Sequence, residues 1–121
     1  INYCKTNNVT YRIIDSNGLN AMDAEAAVKQ FLNNNTLSPG VICGSYDITV
    51  GTINAMDSRQ QPIIYSYDNI PQIKKLDYPV QAIGVPTAEI AQQIVTTLDQ
   101  VIKGEPTESA YHLHPSTSDE N

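Results

Sequence analysis

The sequence predicts an α/β fold, a mainly parallel sheet flanked by helices on both faces. Three observations carry that expectation. Short runs of apolar and β-branched residues alternate with segments of helical periodicity along the whole chain. The run Val41-Ile42-Cys43-Gly44 is continuously apolar and of strand length, the pattern of a parallel strand covered on both sides. The length of 121 residues is that of one domain, and no internal repeat or low-complexity linker divides it. Alternation at this spacing requires right-handed crossovers between parallel strands.

Each element has its own local reason. Tyr11-Arg12-Ile13-Ile14 reads as a first strand that stops at the turn cluster Asp15-Ser16-Asn17-Gly18. Asn20 is placed to cap a helix, with Asp23 three residues on in a capping-box arrangement. Ala24, Ala27, Val28, Phe31 and Leu32 then recur on one face, and the clusters at 33–35 and 38–40 end the helix. After a strand at 41–45, a second helix is expected from about Asp47 to Ser58, with Asp47 as its N-cap. Strands follow at 62–67 and 80–85, with one helical turn between Ile70 and Leu76.

The clearest helix begins after Pro86. Thr87 is its expected cap, Glu89 complements the positive end and Lys103 the negative end. Gly104 is placed to close it in the left-handed conformation. Ile90, Ala91, Ile94, Val95, Leu98, Val101 and Ile102 form one wide apolar stripe. At about 1.5–3 kcal/mol per buried aliphatic side chain, that stripe predicts a helix lying on the rest of the domain. Ala110 to Leu113 reads as a short final strand, and 116–121 as a frayed tail.

Composition narrows the function. Seven basic against thirteen acidic residues give a net charge of −6, which argues against a surface that grips nucleic acid or an anionic membrane. No apolar run approaches the roughly 18 residues that span a bilayer. With no Trp and one Phe, the core must be filled by aliphatic residues and some of the seven Tyr. Cys4 and Cys43 are too few for a disulfide framework; Cys43, inside an apolar run, reads as a buried thiol, and a secretory disulfide between the two is the lesser reading. The chain begins INYCK, without an initiator Met or a leader pattern, so a removed signal or a piece of a longer protein is expected.

In open parallel sheets, ligands sit at the carboxyl ends of the strands. Three polar clusters fall there: Asp15-Ser16-Asn17, Ser45-Tyr46-Asp47 and Tyr67-Asp68-Asn69. Asp68 is the leading candidate, because a carboxylate at a strand end accepts hydrogen bonds from adjacent sugar hydroxyls; its competing role is a turn or helix-cap carboxylate. Asp47 is a ligand contact or a plain N-cap, and Tyr46 a stacking residue or one more core aromatic. Tyr67 is expected to pack with its hydroxyl near the cleft, and Asn69 and Asp15 are the weaker candidates. His112 and His114 would share a face of a strand, yet nothing at suitable spacing completes a metal site, so no metal or cofactor is expected. Asn8-Val9-Thr10 and Asn34-Asn35-Thr36 match the glycosylation pattern, which matters only in a secreted protein. No nucleophile elbow, phosphate loop or HExxH is present, and nothing raises the pKa of one member of an Asp47/Asp68 pair as glycoside hydrolysis would need. A binding domain, not an enzyme, is the expectation.

Residues 41–55, VICGSYDITVGTINA, resemble the strand-to-helix segment of LacI/GalR-type transcriptional repressors. So does YSYDNIP at 65–71, and the run from Tyr78-Pro79-Val80 through Pro86 and Glu89 to Lys103-Gly104-Glu105 resembles the family's closing segment. Leu113-His114-Pro115-Ser116-Thr117 is similar to its terminal strand. The likeness runs from about Asn8 to Thr117, carried by the order and spacing of these segments. It implies one lobe, the C-terminal one (residues 1–121), of a type I periplasmic-binding-protein-like effector domain. The other lobe and a helix-turn-helix would belong to a longer protein.

Departures from the family pattern fall at the pocket. Tyr46 stands where the family usually has a ligand-binding Asp, with Asp47 one place later, and His114 replaces the usual Arg of the last strand. The connection between Ala55 and Asp68 is also shorter than usual. The resemblance implies a cytoplasmic regulator, a homodimer that binds a small effector, a carbohydrate or its derivative, and meets operator DNA only through its missing domain. Self-contact is expected through Ile53, Met56 or the strand near Val80. The alternative on the same fold is an extracytoplasmic sugar-binding component of an ABC transporter.

Overall fold

A computed structural model describes residues 1–108 and 110–117. The order of elements is α1 (Asn2–Thr6), α2 (Ala21–Leu32), β1 (Gly40–Cys43), α3 (Tyr46–Ala55), β2 (Ile63–Ser66), a 3-10 turn (Pro71–Lys75), β3 (Val80–Gly84), α4 (Thr87–Ile102) and β4 (Ser116–Thr117). One four-stranded sheet has the order β1-β2-β3-β4, with β1, β2 and β3 parallel and β4 antiparallel to β3. The fold class, a mainly parallel sheet flanked by helices, is the predicted one, although the expected cover on both faces is incomplete: Ile42, Ile63 and Ile83 on the face away from α3 are exposed.

Several local predictions hold because their causes lie within a few residues. The Asn20 side chain accepts from the Asp23 N–H and caps α2. Gly104 adopts φ +69°, and the Glu105 and Gly104 N–H groups donate to Gln100 and Val101 oxygens, a complete Schellman closure of α4. The helical turn expected between Ile70 and Leu76 forms as the 3-10 segment, with Pro71 at its start.

Other predictions fail. Tyr11–Ile14 is not a strand: the Arg12 guanidinium donates to Asn35 Oδ1 at 2.7 Å, and β1 remains the sheet edge. Helix α3 ends at Ala55 instead of Ser58, because Asp57 turns the chain by accepting from the Arg59 N–H at 2.9 Å. Thr87 does not cap α4 but is its first helical residue, and the Pro86 carbonyl accepts the first helical bonds. Residues 110–113 form no strand; the terminal pairing falls on Ser116 and Thr117, within the segment that the family resemblance picked and that composition had read as tail. The rest of that expected tail, 118–121, lies outside the described residues.

The core sits between one sheet face and two stacked helices. Cys43, Ile64, Ser66 and Ala82 are buried on the face against which α3 packs, and α2 packs on α3. Gly51 makes the close approach of the two helices possible: a Cβ there would lie 2.3 Å from the Ala21 oxygen and 2.6 Å from the Ala24 Cβ. The opposite sheet face carries Ile42, Ile63 and Ile83, all exposed. Helix α4 buries none of its residues, contrary to expectation. Its stripe faces solvent, with Val95 66% and Ile102 82% exposed, whereas the polar Gln93, Thr97 and Gln100 are the half-buried positions. An amphipathic helix is bound by its sequence to present an apolar face, but the sequence does not say to whom.

Candidate functional site

The loop 67–69, following β2, ties three strand ends together. Asp68 Oδ2 accepts a hydrogen bond from the Tyr46 backbone N–H at 2.6 Å, which fixes the β2 end against the first turn of α3. Ser45 provides the side-chain cap of that helix, its Oγ accepting from the Ile48 N–H at 3.3 Å. Asp47 is therefore not the N-cap; it lies exposed in the first turn, where a negative charge complements the helix dipole. Ser precedes Tyr-Asp in the sequence, so a cap at Ser45 was legible and overlooked in favour of the acid.

On the other side of the loop, Asn69 is buried. Its Nδ2 donates to the Gly84 carbonyl at 3.3 Å and to the Ser116 carbonyl and hydroxyl at 3.2 and 3.3 Å. This amide stitches the β3 end to β4, so its nitrogen is committed to the fold and not to a ligand. Nothing local to Asn69 announces that role, because Ser116 is 47 residues away.

The structure thus brings Tyr46, Asp47 and Asp68 together at the carboxyl ends of β1 and β2. Asp68 is half-buried, and a carboxylate has acceptor sites beyond the one bonded to Tyr46. Tyr46 is half-buried and Tyr67 is 68% exposed, so Tyr67 stands in solvent instead of packing. Asp15 is exposed in the segment that was expected to end the first strand. Beneath this surface a polar seam was missed from sequence: Thr49 Oγ1 donates to Ser66 Oγ at 2.8 Å, and Cys43 Sγ lies 3.6 Å from Thr52 Oγ1. Thr49 and Thr52, at helical spacing behind Ser45, were the available signal.

The wide cleft of about 1090 Å³ lies elsewhere, at the amino ends of β2 and β3 beside Pro62, Ile63, Ile73, Tyr78 and Val80, and no carboxylate lines it. Among the described residues no group of three or more His, Cys, Asp or Glu is gathered to hold a metal ion, and His112 and His114 are exposed outside any strand. Among the same residues no helix is long and apolar enough to cross a membrane.

No protein-family profile matches the sequence, and no curated protein matches it. Two solved structures share its fold. A regulatory protein of the LacI family from Chloroflexus aggregans superposes with a TM-score of 0.71 at 19% identity, covering 96% of this chain and 45% of that one. A LacI regulator from Lactobacillus casei, with bound Tris, gives a TM-score of 0.63 at 19% identity, covering 96% and 44%. The chain shares its fold with part of each of these proteins and spans less than half the length of either.

Proposed function

We propose that this chain is the C-terminal effector-binding lobe of a cytoplasmic LacI-type transcriptional regulator, and that a carbohydrate or its derivative binds at the carboxyl ends of β1 and β2. One observation supports this reading above the rest: nearly the whole chain matches under half of each regulator, as one lobe of two would. Asp68, with Tyr46 and Asp47 beside it, supplies acceptors and an aromatic edge to the open surface that a second lobe would cover. The site is read as a binding surface without catalysis, since both fold neighbours are regulators. Effector closure would change operator affinity through domain movement, and DNA contact would belong to a separate domain. A homodimer suits two-fold operators, and the apolar stripe of α4 supports such self-contact better than Ile53, Met56 or Val80, which are half-buried.

The test is a titration of the protein encoded by the complete gene against a panel of mono- and disaccharides, followed by operator gel shifts with each hit. A sugar that binds and changes DNA affinity, with both effects weakened by Asp68→Asn, supports the proposal. A protein that binds sugars but carries no DNA-binding activity overturns it in favour of solute capture.

A further inference from the structure

An apolar cavity of about 320 Å³ lies between α2, the outer edge of β1 and the segment 9–16. Its walls include Ile14, Ala27, Val28, Phe31, Val41 and Ile48, and none of Asp15, Tyr46, Asp47, Tyr67, Asp68 or Asn69 lines it. We infer that this cavity is a second binding site, for a small, uncharged, largely apolar molecule of one or two rings with a single hydrogen-bonding edge.

Four features define that ligand. The volume lies at the lower end of the range that holds small organic ligands, which sets the size. Among the described residues no carboxylate lines the cavity to hold a cation, and exposed Arg12, the one charged residue of that lining, is hydrogen-bonded through its guanidinium to Asn35 at 2.7 Å. Cys43, also in the lining, keeps its proton because burial pushes the thiol pKa up. The hydrogen-bonding edge comes from β1. Pro39 and Cys43 carbonyls accept from the Ile63 and Tyr67 N–H groups of the β2 side, so the alternate Gly40 and Ile42 main-chain groups turn the other way, toward the cavity they line. Among the described residues no strand pairs with that side of β1.

The cavity is held open. Arg12 is anchored to Asn35, Asn35 Nδ2 donates to the Phe31 carbonyl at 3.0 Å, and the Val9 N–H donates to the Cys4 carbonyl at 2.9 Å. These bonds tie the outer wall to α2 and α1 instead of to β1. Most of the lining is apolar and favours an apolar guest, while the Thr10, Ser16, Ser38 and Thr52 side chains place hydroxyls among it.

The test is a methyl-detected NMR titration of this chain with indole, a two-ring molecule with one N–H. The inference expects saturable shifts of the Ile14, Val28, Val41 and Ile48 methyls, half-saturated at or below about 1 mM. Ala27→Leu, which fills the cavity from a helical position, should weaken binding at least about tenfold, a free-energy change near 1.4 kcal/mol. Should that variant fail to fold, nuclear Overhauser contacts from the indole ring to Val28 and Ile48 in the unaltered chain decide the matter. Shifts absent up to the solubility limit, shifts confined to Ile94 and Leu98 of α4, or binding indifferent to Ala27→Leu would each overturn the inference. Its failure leaves the effector reading intact, since the two sites share no residue.

Discussion

Asp68 Oδ2 and the Tyr46 N–H meet at 2.6 Å across 22 residues of sequence, joining the end of β2 to the start of α3. A carboxylate in that position has two duties, holding the helix terminus and facing whatever covers the strand ends. Replacing it by Ala removes both, whereas Asn keeps an acceptor and loses the charge.

Asp68→Ala should lower unfolding free energy by about 1.5–3 kcal/mol, the cost of a lost charge-assisted hydrogen bond, with Asp68→Asn costing less. Urea titration of this chain reads that difference. In the complete protein both variants should weaken effector binding, Asp68→Ala by roughly 1.5–3 kcal/mol, measured calorimetrically. This chain alone should bind no sugar more tightly than about 1 mM, since one lobe supplies half the contacts and none of the closure. Micromolar binding by the single lobe would put the site elsewhere.

Gly51→Ala should be among the most damaging single-methyl changes in the chain. The added carbon would meet the Ala21 oxygen, the Ala24 Cβ and the Glu25 nitrogen within 2.8 Å, and two of these are backbone atoms that yield only if α2 moves off α3. Overpacking of this kind costs about 1–3 kcal/mol, in spite of the gain in helix propensity. A melting temperature equal to that of the parent chain would show that α2 and α3 do not pack this closely.

Stability should fall with alkaline pH through Cys43. Burial raises its thiol pKa, while hydrogen bonds with Thr52 and Thr49 oppose the shift in part. The folded state therefore holds the proton after the unfolded chain has released it, near a cysteine's ordinary value of about 8.5. The contribution is intact below that pH and is lost as pH rises toward the folded pKa. Urea midpoints measured from pH 7 to about 9.5 should decline, and Cys43→Ala should flatten the decline even while lowering the midpoint overall. Thiol alkylation should mark half-buried Cys4 well before Cys43.

Polar substitutions on the stripe of α4 should leave the isolated chain's stability almost unchanged. Ile94 and Leu98 are 54% and 55% exposed, so Ile94→Ser with Leu98→Ser should cost no more than about 1 kcal/mol. The same pair should shift sedimentation velocity profiles from self-associated to monomeric species if the stripe is the dimer contact. A large loss of stability would mean that the stripe is buried within the chain after all.

What the sequence determined by itself is what neighbouring residues settle between themselves. Asn20 finds its Asp23 N–H three positions on, Gly104 closes α4 because a residue without a side chain adopts φ +69° at no steric cost, and the short β-branched runs at 41–43, 63–66 and 80–84 become neighbouring strands of one sheet. These are interactions whose partners are fixed by chain connectivity, so residue type and spacing suffice to read them. The tertiary structure decided the rest. Whether Tyr11–Ile14 becomes a strand depends on a neighbour willing to pair, and Arg12 is instead held by Asn35, 23 residues away. Whether Asn69 meets a ligand or the chain depends on Ser116, and whether the α4 stripe is core or surface depends on which way the whole helix is turned. A strand is half of a pair and an apolar stripe half of an interface. Their amino acids state the demand, and only the three-dimensional arrangement names what meets it.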